Sequence, residues 1–220
     1  MQCAAIDEAE LAGRRCYGGL DLSSTLDVTA LVWVFPPVDG TVFDVVCRMW
    51  IPEENWEERV KRDRAPYDVW VRQGLLTPTP GNAVDYDFIL DQVQADVKGF
   101  AVQELAFDPW NATSVTNKIG LPPEKLVEFR QGYASMNPAM KVLEVAIQRR
   151  TLNHGGNAAL AWMADNLVAS QDPAGNMKPD KAKSTERIDG VVALIMALQR
   201  ATLHAVAAGS VYKSRGLRVL

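Results

Sequence analysis

The stretch GGLDLSSTLDVTALVWVF, residues 18–35, ends in eight almost wholly apolar residues rich in β-branched and aromatic side chains, Val28 to Phe35. That composition predicts a buried strand. Just ahead of it, residues 17–22 read as a first strand, and Asp21 sits there between Leu20 and Leu22. A carboxylate among aliphatic side chains is costly unless something compensates its charge. Gly18 and Gly19 keep the backbone beside it uncluttered, and Ser23 and Ser24 leave room where the chain exits the sheet.

Working outward, Pro36-Pro37 ends the second strand, residues 28–36, and Asp39-Gly40 is a turn signal leading to a third strand, Thr41 to Trp50. Three consecutive strands with short links predict an antiparallel meander. The pattern then changes. Residues 52–74 are charged and helical in period, with Pro52 at a helix start and a buried stripe of Trp56, Val60, Tyr67, Trp70 and Val71 on two short helices broken near Pro66. Residues 75–83 read as a loop and Asp85 to Lys98 as a helix. A strand over 100–107 ends at Asp108, and a helix-like segment follows, ending at Gly120. Beyond it come a short strand over 126–132, helices over 134–149 and 158–169, and a polar, lysine-bearing hairpin or loop over 170–185. The strongest helix runs from Glu186 to about Val206. This order predicts an α/β fold: a mixed β-sheet flanked by helices, its first three strands antiparallel.

The 220 residues are 48% hydrophobic, enough for one large domain with a sizeable core. The net charge of −4 excludes a protein that coats nucleic acid by charge alone, while leaving room for a local basic groove. Cys3, Cys16 and Cys47 form no CxxC pair, and His154 and His204 are the only histidines, which argues against structural zinc and against a disulfide framework. No run approaches the ~18 apolar residues of a membrane span, so no membrane partner is expected. The N-terminus lacks a signal-peptide layout and reads as a short helix near Ile6 to Arg14. The expected division is a linker or short helix over 1–16, a domain over 17–208 and a tail over 209–220.

Three aspartates stand at ends of elements: Asp21 on the first strand, Asp108 closing a later one, and Asp189 opening the long final helix. Clustered carboxylates repel and raise one another's pKa. A divalent cation removes that cost, and an all-oxygen acidic site suits Mg²⁺ or Mn²⁺. Two such ions about 3.5–4 Å apart clamp a phosphodiester, one activating water and the other stabilising the leaving oxygen. The plainer alternative is that Asp108 caps the helix after it and Asp189 complements a helix dipole. His154, Asp165, Asn166 and Asp172 are weaker candidates, and Trp110 is placed to shape a site around Asp108.

GLDLSSTLDVTALVWVF, AFDPWNA and KAKSTERIDGVVALIMAL together resemble the nuclease domain of large terminase subunits from tailed bacteriophages, and residues 65–89 resemble the segment between that family's first two acidic motifs. The resemblance runs from about Tyr17 to Leu198. It implies a ribonuclease H-like fold and an endonuclease that cuts concatemeric double-stranded DNA during packaging with two divalent ions, Mg²⁺ or Mn²⁺. It carries metal-ligand and catalytic roles onto Asp21, Asp108 and Asp189, and phosphate contacts onto Lys181, Lys183 and Arg187. It implies as partners DNA, the ATPase domain of a full-length subunit, the portal and the small terminase subunit, in the cytoplasm of an infected or lysogenic bacterium. No GxxxxGK[ST] motif occurs, so nothing in this sequence cradles ATP phosphates. Two rival readings share the acids: a catalytically silent ribonuclease H-like module docking on DNA or portal, and a ribonuclease H-like resolvase.

Overall fold

Alternation along β2 (Thr29–Phe35) sets the two faces of the sheet. Ala30, Val32 and Val34 enter one apolar core, while Leu31, Trp33 and Phe35 enter a second. A strand with a core on each side lies inside a sheet covered on both faces, which is why its sequence is continuously apolar. The structure, a computed structural model, describes residues 3–22, 28–54, 56–184 and 186–208. Ser23 and Ser24 and the expected tail over 209–220 lie outside the described residues.

β1 (Arg15–Asp21) and β3 (Phe43–Pro52) flank β2, both antiparallel to it, as the meander predicts. Gly40 takes the left-handed conformation (φ +86°) in the turn between β2 and β3. The chain then forms α1 (Trp56–Asp63), α2 (Tyr67–Arg72), β4 (Thr77–Thr79) and α3 (Tyr86–Gly99). Asp85 starts α3 by accepting hydrogen bonds from the Asp87 and Phe88 backbone N–H groups. α3 is the crossover to β5 (Ala101–Phe107), which lies parallel to β1. After α4 (Pro109–Thr116), β6 (Leu126–Glu128) pairs parallel with β5. The remaining elements are α5 (Tyr133–Gln148), β7 (Leu152–Asn153), α6 (Ala158–Asn166), the hairpin of β8 (Ala169–Gln171) and β9 (Met177–Pro179), and α7 (Asp189–Ala208). The main sheet has the order β4-β3-β2-β1-β5-β6, with β7 beside β3. The expected mixed sheet with three antiparallel leading strands is therefore what the chain forms.

Four expectations need correction. Pro52, expected at a helix start, is the last residue of β3, where it pairs with Thr79, and α1 begins at Trp56. The helix expected near Ile6 to Arg14 is a single 3₁₀ turn, Glu8–Leu11, and β1 begins at Arg15 after a turn through Ala12, Gly13 and Arg14. β4 falls in residues expected to be a loop, and β7 in a stretch with no strand signal. Both are two or three residues long and pair parallel with β3. Segments so short carry no periodicity, and Pro78 argues locally against a strand, so only the neighbouring strand selects the conformation.

One core lies between the sheet and α5, α6 and α7, the other on the opposite face beneath α3 and α4. α7 is buried nearly all round from Val191 to Leu198, because it packs against β1 and β2 on one side and α5 and α6 on the other. Gly19 permits the β1 contact: a Cβ there would sit 2.0 Å from the Ala193 carbonyl oxygen of α7. On the α3 side, buried Asp96 accepts hydrogen bonds from Trp33 Nε1 (2.8 Å), Gln92 Nε2 (2.9 Å) and Arg48 Nη2 (3.1 Å). Arg48 also binds Glu8, so this network ties the N-terminal turn to the sheet. Among the described residues no helix is long and apolar enough to cross a membrane.

Candidate metal centre

Side chains alternate along β1, so Tyr17, Gly19 and Asp21 face α7 while Cys16 and Leu20 face the α3 core. Asp21 is the last residue of β1, paired with Ala30, and only 3% exposed. Asp189 is the first residue of α7 and 6% exposed. The next residue, Gly190, has its N–H 3.2 Å from Met163 Sδ, and a side chain there would collide with that sulfur. The Asp-Gly sequence thus lets α6 pack close against the start of α7 and holds Asp189 at the sheet edge.

Lys181 joins the two acids. Its Nζ donates to Asp21 Oδ2 at 2.7 Å and to Asp189 Oδ1 at 2.8 Å. The other Asp21 oxygen accepts from Gln131 Nε2 at 3.0 Å. Burial would lower the Lys181 ammonium, but the Asp21 and Asp189 carboxylates outweigh it and hold it above the usual lysine range. Burial pushes the Asp189 carboxyl up, and the Asp21 charge adds to this against the opposing pull of Lys181 and Arg187. One ammonium between two buried carboxylates leaves the pair short of positive charge.

Asp108 is half-buried and one residue beyond Phe107, which pairs with Leu20, so its backbone follows the β1–β5 pairing at the same edge as Asp21. Its carboxylate caps α4: Oδ1 accepts the Trp110 N–H at 3.1 Å. The structure therefore brings Asp21 and Asp189 together through Lys181 and turns the Asp108 carboxylate to the helix start. Among the described residues no three His, Cys, Asp or Glu side chains converge as a metal-holding group.

The basic residues separate. Lys181 belongs to the acid pair. Lys183 is 70% exposed, its Nζ 3.6 Å from Asp180 Oδ2 in the same turn. Arg187 Nε lies 3.6 Å from Asp63 Oδ2. Asp63 is buried and also accepts from the Tyr67 hydroxyl at 2.9 Å and from Arg62, so Arg187 is part of a packed ionic cluster beneath the site.

Of the weaker candidates, His154 and Asp165 line a cavity of about 600 Å³ floored by Leu143, Leu160 and Val191, whose lining includes neither Asp21 nor Asp189. Asp172 closes the β8–β9 turn through Asn176. Trp110 is 91% exposed at the head of α4. Gln131 was not foreseen: a glutamine 110 residues from its partner carries no local signal.

The chain matches the family model described as "Terminase large subunit, endonuclease domain" over residues 1–205. It is 45% identical over 188 residues to the terminase large subunit of Enterobacteria phage HK97, covering 84% of this chain and 37% of that protein. The crystal structure of the HK97 large terminase superposes with a TM-score of 0.82 at 42% identity, covering 90% of this chain and 41% of that one. The large terminase (g2p) nuclease domain of bacteriophage SPP1, solved with bound Mn, matches with a TM-score of 0.50 at 12% identity, covering 89% and 92% of the two chains. The fold is thus that of the ribonuclease H-like terminase nucleases. This chain spans less than half the length of the HK97 protein.

Proposed function

We propose that this chain, which belongs to the terminase large subunit endonuclease-domain family, hydrolyses phosphodiesters of double-stranded DNA at the edge of the sheet where Asp21 and Asp189 meet. The observation that carries this reading is the pair of buried carboxylates sharing one ammonium. Their oxygens are hard donors and suit Mg²⁺ or Mn²⁺. Asp21 and Asp189 would hold the ion, and Asp108, at the same edge, would be the third ligand for the two ions of the reading. When bound, such ions polarise the phosphate, lower the pKa of attacking water and stabilise the leaving oxygen.

The chain's own residues do the positioning. β1, hydrogen-bonded on both sides, fixes Asp21, and Gln131 orients its carboxylate. The α7 packing fixes Asp189. Lys183, exposed on the turn before α7, would meet a backbone phosphate. Arg187, engaged with Asp63, contributes by holding the start of α7. Contacts of this kind position a duplex without reading its bases, so sequence preference is low. The setting of the reading is genome packaging in a bacterial host, with DNA, the ATPase part of a full-length subunit, the portal and the small terminase subunit as partners.

The test is plasmid nicking and linearisation in Mn²⁺ by the wild type and by Asp21→Asn, Asp189→Asn and Asp108→Asn, each checked for folding by circular dichroism. Loss of cutting in the first two is expected. Undiminished cutting by either would remove the site from the reaction, and undiminished cutting by Asp108→Asn would leave that residue as a helix cap alone.

A further inference from the structure

We infer that Lys181 is a resident cation of the metal centre: its ammonium occupies the space between Asp21 and Asp189 until a divalent ion displaces it. The inference rests on the reading of this site as a metal centre and extends it to how the site is kept without metal.

Three observations carry it. The ammonium bonds both carboxylates at once, at 2.7 and 2.8 Å, and so sits where a cation bridging them would be bound. Its anchor is a hydrogen-bonded turn. Asp180 Oδ1 accepts from the Ala182 and Lys183 N–H groups, both at 3.1 Å, and the Asp180 carbonyl accepts from Ser184 N–H at 2.9 Å and from its hydroxyl at 2.7 Å. Its side chain nonetheless has a way out, since it is 46% exposed along its length while the acids it binds are buried. An ammonium and a divalent ion repel and cannot both fill the gap between the same two carboxylates. Metal binding therefore requires the four-carbon stem to swing toward solvent from this turn. The lysine keeps two like charges together in the metal-free protein, at the expense of metal affinity.

The test compares wild type with Lys181→Met by isothermal titration with Mn²⁺ alone. The variant is expected to bind roughly tenfold or more tightly, because the ion no longer displaces a doubly bonded ammonium. Without metal its melting temperature should fall, and Mn²⁺ should raise it by more than in the wild type. Equal or weaker Mn²⁺ affinity in the variant overturns the inference while leaving the metal centre in place. Absence of binding in both proteins removes the metal centre and the inference with it. If the variant does not fold, ¹³Cε-lysine NMR of the folded wild type decides: the Lys181 resonance should move on saturation with Mg²⁺, and an unmoved resonance overturns the displacement.

Discussion

Replacing Gly19 by alanine is a one-atom change whose cost follows from the packing of β1 on α7. A Cβ at this position would lie 2.0 Å from the Ala193 carbonyl oxygen, 2.9 Å from the Ala197 nitrogen and 3.0 Å from the Ala193 carbonyl carbon. Carbon–oxygen contacts settle at about 3.3–3.6 Å, so β1 and α7 must separate by roughly 1.3 Å. Overpacking that side chains can absorb costs about 1–3 kcal/mol. Here the obstacles are main-chain atoms of α7 within its buried stretch, Val191 to Leu198, so no rotamer change relieves them. A loss of about 3 kcal/mol or more is expected, a large share of the ~5–15 kcal/mol that holds a domain together. Urea unfolding followed by far-UV circular dichroism measures it as a fall in midpoint at constant slope. Gly99→Ala is the control: nothing lies within 4 Å of its Cβ position at the end of α3, and it should be neutral or slightly stabilising. A Gly19→Ala variant within about 1 kcal/mol of wild type would refute the claim that the α7 backbone leaves no room there.

Asp96→Ala strips the buried Trp33 indole N–H of its acceptor and leaves the Arg48 guanidinium with Glu8 alone, and should cost about 3–5 kcal/mol in the same unfolding assay; a change below about 1 kcal/mol would mean water replaces it. Glu104 is held by Arg200 Nε at 2.6 Å and His204 Nε2 at 2.8 Å. Burial pushes its carboxyl up, but Arg200 and His204 outweigh this and keep it below its usual value of 4.5. Its folded pKa is therefore below the unfolded one, so its stabilisation is complete above about pH 4.5 and is lost as pH falls through the folded value. Glu104→Gln should cost about 1.5–3 kcal/mol at neutral pH and flatten the acid limb of a stability-versus-pH curve; an unchanged acid limb would contradict the assignment. Lys183→Ala should weaken binding to duplex DNA, read by fluorescence anisotropy without divalent metal, and reduce the slope of log K against log salt by about 0.9. An unchanged slope would take Lys183 off the DNA.

The candidate site was legible in part, and the boundary follows chain distance. Asp21 drew notice because a carboxylate between two leucines is locally anomalous, and Asp189 because it precedes glycine and a long apolar helix. Both are buried and face each other. Asp108 was equally visible, but its Asp-Pro-Trp context encodes a helix cap, and its carboxylate makes that bond. Lys181, Lys183 and Arg187 looked alike as a basic run, since charge patterning registers sign and spacing but not direction. Tertiary packing sends them to three destinations: the buried acids, the solvent and the Asp63 cluster.

By itself the sequence determined the local periods: the alternation of β2, the prolines and glycine that close the meander, the amphipathic stretches of α3 and α5, and the unbroken apolar run of α7. These are readable because side-chain periodicity and turn chemistry act within a few residues. Only the tertiary structure decided that β5 lies parallel beside β1, that β4 and β7 are strands at all, and that residues 160 apart, Asp21 and Lys181, share a hydrogen bond. Such pairings depend on the order of strands in the sheet and on where the crossovers place each chain end. An acid's neighbours across the fold, rather than along the chain, set the charge it carries and the cation it can hold.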